Sequence, residues 1–133
     1  MSALFKKMNL TTQTEIAVFN APKSFDGELG ALQDVKILRD PKKPSKLQFA
    51  LAFAVTQSEL DRYSALLAAG SEGDAILWFA YPKGTSKRYR CEFNRDQGWQ
   101  VIRGAGFESV RQVALDVDWS ALRFRRVAYV KKS

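Results

Sequence analysis

Residues 47–81, "LQFALAFAVTQSELDRYSALLAAGSEGDAILWFAY", decide the fold. Residues 47–55 are almost continuously apolar where a strand with one wet face would alternate, so they read as a strand buried on both faces. Such a strand needs a sheet with helices on each side. Thr56 followed by Glu59 has the spacing of a capping box, in which a hydroxyl and a carboxylate satisfy backbone N–H groups at a helix start. Leu60, Tyr63, Leu66 and Leu67 then form one apolar stripe, and Gly70 stands where the helix stops. The apolar run "AILWFAY", 75–81, is a second buried strand.

Toward the N-terminus, "EIAVFN" (15–20) reads as the first core strand and "VKILR" (35–39) as the second. Between them "SFDGELGAL" (24–32) reads as a helix with Ser24 as its N-cap and Asp26 and Glu28 in the first turn, where the dipole favours acids. "DPKKPSK" (40–46), with two prolines and three lysines, is a surface connection. Toward the C-terminus, "NRDQGWQVIRGAGF" predicts a short helix capped by Asn94 or Asp96, anchored by Trp99 and Ile102 and ended by Gly104 or Gly106. Two strands, about 109–116 and 121–130, then flank the turn-like "VDWS". Together these elements predict a three-layer Rossmann-like α/β domain, with a mainly parallel sheet ordered 2-1-3-4 and a C-terminal antiparallel hairpin at the edge.

With 133 residues, 46% of them hydrophobic, the chain has material for one core, so a single α/β domain over 1–133 is expected. No apolar stretch approaches the ~20 residues that span a bilayer, and lysines interrupt "MSALFKKMNL". A cytoplasmic protein with no membrane partner is the expectation. The single cysteine, Cys91, rules out an intramolecular disulfide and a multi-cysteine metal site. Histidine is absent, which removes the commonest general base, the Ser-His and Cys-His dyads and most zinc sites. No catalytic residue, metal or cofactor is assigned on these grounds. Lysine and arginine outnumber aspartate and glutamate by 21 to 14, a net charge of +7 that favours anionic partners and solubility alike.

Ligands of open α/β sheets sit beyond the carboxyl ends of the parallel strands, near the point where strand order reverses. Those ends bring Asn20, Lys23, Ser24, Thr56, Gln57, Tyr81, Lys83, Thr85 and Ser86 to one rim, and Trp119 to its border. Hydroxyls, amides and lysines at helix starts suit an anion or phosphate; the same residue types also serve as caps and solvated loop positions. "YPKGTSK" lacks the order of a P-loop, and "FNAPKSFDGELG" lacks the GxGxxG that lets a backbone approach a pyrophosphate. Alternation in "YRCEF" places Tyr89, Cys91 and Phe93 on one buried strand face, which argues against a reactive thiol. Asp116 and Asp118 have the spacing of a carboxylate pair and equally of turn formers. Lys87, Arg88, Arg90, Arg123 and Arg125, interleaved with aromatics, form an alternative nucleic-acid surface, although alternation assigns Phe124 to the core.

At "LWFAYPKGTSKRYRCEFNRDQGW" and "GFESVRQVALDVDWSALRFRR" the chain resembles a family of small bacterial proteins of unknown function, with "YPK" and "DWSALRF" the most distinctive parts. That resemblance implies a bacterial, stand-alone α/β protein and carries no activity. The strand, "GF…V" and terminal hairpin are more distantly similar to the second half of Rossmann-like methyltransferases, from which the first turn departs. The leading expectation is a non-catalytic binding or regulatory module recognising an anionic small ligand or a protein partner. Nucleic-acid binding and a degenerate methyltransferase-like enzyme are the alternatives.

Overall fold

In the computed structural model, which describes residues 3–130, one mixed sheet is built from β1 (Glu15–Phe19), β2 (Lys36–Arg39), β3 (Leu47–Phe53), β4 (Ser71–Pro82), β5 (Phe107–Ala114) and β6 (Trp119–Arg126). Its order is β2-β1-β3-β4-β6-β5. The pairs β1–β2, β1–β3 and β3–β4 are parallel, and β6 runs antiparallel to both β4 and β5. The predicted α/β class and the 2-1-3-4 order with a terminal hairpin therefore hold, with β6 inserted next to β4 and β5 at the edge.

The helices are α1 (Ala3–Lys7), α2 (Asp26–Gly30), α3 (Gln57–Gly70) and α4 (Gln100–Gly104). The two sides of β3 explain how they are layered. Ala50, Ala52 and Ala54 face α3, and these small side chains let the longest helix pack closely beneath Leu60, Tyr63 and Leu67. Phe49, Leu51 and Phe53 face the other way and fill the broader space left by the short α1 and α2, meeting Phe5, Phe25 and Leu29. Trp78 of β4 ties α1 to the sheet: its indole N–H donates to the Met8 carbonyl at 2.9 Å.

Several local expectations are corrected. Ser24 caps no helix; it lies inside a 3₁₀ turn, Lys23–Phe25, whose N-cap is Pro22 and makes no side-chain bond. The packing of Phe25 sets this turn, and α2 that follows is only five residues long. Helix α4 starts after Trp99, not at Asn94 or Asp96; Asn94 instead accepts from the backbone of Asp96 and Gln97, closing its own loop turn. "YRCEF" is not a strand, and Tyr89 packs on the face opposite Phe93. The hairpin turn falls on 115–118, where Asp116 Oδ1 accepts from the N–H groups of Asp118 and Trp119 at 2.8 Å each. Gly70 does end α3, but through close approach: a Cβ there would sit 2.8 Å from the Pro44 carbonyl oxygen.

Candidate functional site

The strand order reverses between β1 and β3, and there Asn20 bridges the end of β1 to the end of β3 and to α3. Asn20, in a left-handed conformation (φ 59°) that asparagine tolerates, donates through Nδ2 to the Phe53 carbonyl at 2.9 Å and to Glu59 Oε2 at 3.0 Å. Its backbone N–H donates to Asp40 Oδ1 at 2.8 Å. Glu59 Oε1 accepts from the N–H groups of Val55 and Thr56, and Thr56 Oγ1 accepts from Glu59 N–H, completing the expected capping box. Burial works against the Glu59 charge, yet the bonds from Val55, Thr56 and Asn20 outweigh it and hold its carboxyl below the ordinary value. At the next N–H of α3, Gln57, a carboxylate already sits: Glu92 accepts at 2.9 Å.

Glu92 belongs to the segment 83–99, which crosses the ends of the strands from one face of the sheet to the other. It leaves β4 with Lys83 N–H on the Asp118 carbonyl at 2.8 Å, and Ser86 Oγ donates to Asp118 Oδ1 at 2.8 Å. Tyr89 then packs on Trp119 with ring centroids 4.9 Å apart. On the opposite face Phe93 lies against Tyr81 and Trp99, at 5.9 and 5.5 Å. The Gln57 side-chain amide holds the far end by donating to the Gly98 carbonyl at 2.8 Å. Gly98 has φ +104°, and a Cβ would meet both Gln57 Oε1 and Phe93 Cβ at 2.7 Å, so the passage requires glycine.

Between this segment, β4 and the β5–β6 hairpin lies a cleft of about 1040 Å³. Its lining includes Tyr81, Gln112 and Ser120 from the sheet and Lys83, Thr85 and Arg90 from the segment. Gln112 Nε2 donates to the Tyr81 hydroxyl at 3.0 Å and to Ser120 Oγ at 3.2 Å. Burial pushes the Tyr81 phenol above its ordinary value, with Ser120 acting in the other direction. Burial likewise pushes the Cys91 thiol up. Of the acids on the lining, Glu92 is held by Gln57 N–H, and Asp96 pairs with Arg95 at 3.4 Å. Among the described residues, the Lys83 and Arg90 side chains make no ion pair or hydrogen bond within the chain. No group of three or more acidic or cysteine side chains is placed to hold a metal ion among the described residues.

The residues expected at one rim thus separate. Gln57, Tyr81, Lys83, Thr85 and Ser86 line the cleft. Asn20 and Thr56 lie at the β1–β3 reversal point, Lys23 and Ser24 sit exposed on the 3₁₀ turn, and Trp119 is 3% exposed in the core against Phe53 and Tyr89. Of the basic set, Arg90 joins the cleft while Lys87 and Arg88 stay on the outer surface. Arg123 donates to Asn9 Oδ1 at 3.2 Å, and Arg125 makes a bidentate pair with Asp74 at 2.8 and 2.7 Å. Gln112 and Ser120 escaped the sequence reading because the predicted order did not say that β6, and not β5, pairs with β4, nor the register that sets Ser120 opposite Tyr81.

No protein-family model and no curated protein matches the chain. Solved structures do share its fold. A SAM-dependent methyltransferase from Aquifex aeolicus superposes with a TM-score of 0.61 at 11% identity, over 93% of this chain and 88% of the other. Magnesium protoporphyrin IX methyltransferase from Synechocystis gives 0.59 at 12% identity, over 92% and 74%. The [4+2]-cyclase SpnF gives 0.56 at 11% identity, over 92% and 79%. The chain therefore has a methyltransferase-like Rossmann fold.

Proposed function

We propose that the protein is a non-catalytic binding module on a methyltransferase-like scaffold, and that its cleft takes an anionic small molecule. The carrying observation is the charge of that cleft: Lys83, Arg90 and Arg95 outnumber Glu92 and Asp96 on the lining, and among the described residues Lys83 and Arg90 stand in no ion pair. A concave surface with a net positive lining concentrates anions. The absence of histidine and the raised thiol of Cys91, protonated at neutral pH, support a binding role over a nucleophilic or acid–base one. Isothermal titration with inorganic phosphate, nucleotides and sugar phosphates is expected to detect binding that weakens at least ~10-fold in the Lys83→Ala/Arg90→Ala double variant. Absence of heat with every probe overturns the reading.

The solved methyltransferases favour a second reading, a degenerate methyltransferase-like enzyme. The turn after β1 lacks a glycine-rich loop, and its Asn20 is tied to Asp40, Phe53 and Glu59, which speaks against retained S-adenosylmethionine binding. A thermal shift with S-adenosylmethionine would revive it. The nucleic-acid reading loses two members of its surface to Asn9 and Asp74.

A further inference from the structure

The cleft carries an inference that rests on the anionic-ligand reading and deepens it. We infer that the ligand is a phosphomonoester whose body bears hydroxyl groups, a molecule of the sugar-phosphate class. Two unspent cations, Lys83 and Arg90, sit on one lining with Thr85. A phosphomonoester carries about −1.5 to −2 charges near neutral pH and has three acceptor oxygens, which match two cations better than a single carboxylate does.

The sheet side of the cleft specifies the body. Gln112 spends its amide N–H groups on the Tyr81 hydroxyl and on Ser120 Oγ. The Tyr81 hydroxyl, joined also to Ser120, and the Gln112 amide form a hydrogen-bonded cluster on the lining, and among the described residues Gln112 Oε1 accepts no bond. Neutral donors and acceptors of this kind on one lining complement hydroxyl groups, each of which needs both. A nucleobase finds no indole to stack on here. The indoles of Trp99 and Trp119 are 2% and 3% exposed and packed among other rings, so neither offers a stacking face.

The test is titration of the full chain with glucose 6-phosphate, inorganic phosphate, glucose and adenosine monophosphate. Glucose 6-phosphate is expected to bind at least ~10-fold more tightly than inorganic phosphate, and adenosine monophosphate no more tightly than phosphate. Gln112 is exposed, so Gln112→Ala should keep its thermal midpoint while the preference for glucose 6-phosphate over phosphate falls toward one. Equal affinity for phosphate and glucose 6-phosphate, or tighter binding of adenosine monophosphate, overturns this inference and leaves anion binding standing. An unchanged preference in Gln112→Ala also overturns it. Failure of all four probes to bind removes the anion-binding reading beneath it.

Discussion

Glu59 joins three elements through one carboxylate: it caps α3, receives Asn20 from the end of β1, and accepts two N–H groups from the end of β3. Its folded pKa lies below the ordinary value, as does that of Asp74, where the Arg125 bond is the main cause. A depressed folded pKa means the unfolded chain binds more protons, so the stabilisation is complete above the ordinary carboxylate value of about 4 and is lost as pH falls through the folded value. Urea unfolding at neutral pH and on the acid side should show this decline in the wild type. Glu59→Gln should lose about 1–2 kcal/mol at neutral pH, because its new N–H₂ opposes the Asn20 donor, and should decline less steeply with acid. An acid slope identical to wild type would remove Glu59 from the account. The Arg125–Asp74 pair is about one-third exposed on each side, so its own share is below about 1 kcal/mol.

At the scale of elements, the β3–α3–β4 unit was legible because its signals agree: a two-sided apolar run, a capping box and an apolar helical stripe. Helix α1 went unseen, since five residues give no helical period to read and Phe5 and Met8 are fixed by the sheet they cover. The segment 83–99 was legible only as a basic loop. Its path depends on partners far away in sequence, Val55, Gln57, Asp118 and Trp119, and no local pattern encodes those. Part of the site followed from position at the strand ends; Gln112 and Ser120 depended on which hairpin strand pairs with β4 and in what register. Gly98→Ala should cost about 1–3 kcal/mol through the strained φ and the two close contacts, and should free the segment. Limited trypsin digestion should then cut after Arg88, Arg90 or Arg95 faster than in wild type. Equal cleavage rates would show that the segment is held without that glycine.

At the scale of the molecule, a shared fold does not by itself fix where a ligand sits. The fold is shared with solved methyltransferases; at the reversal point Asn20 bridges β1 to the Phe53 carbonyl and Glu59, and the cleft proposed above as the ligand site lies at the β4–β6 junction. Among the described residues no helix is long and apolar enough to cross a membrane. Thermal denaturation with and without S-adenosylmethionine is expected to give one midpoint, and a shift of several degrees would contradict the proposed loss of its binding.

The placement of β6 has a consequence for how the protein is made. The strand latest in the chain is an interior strand, pairing with β4 on one side and β5 on the other. On a ribosome, β4 emerges with its apolar edge unmated and waits until some forty further residues have been synthesised before its partner exists. Until then β5 has no neighbour at all. A chain stopped at Asp118 should therefore lack cooperative unfolding and bind a hydrophobic dye, while the whole chain should not; cooperative melting of the shorter one would show that the first four strands fold alone.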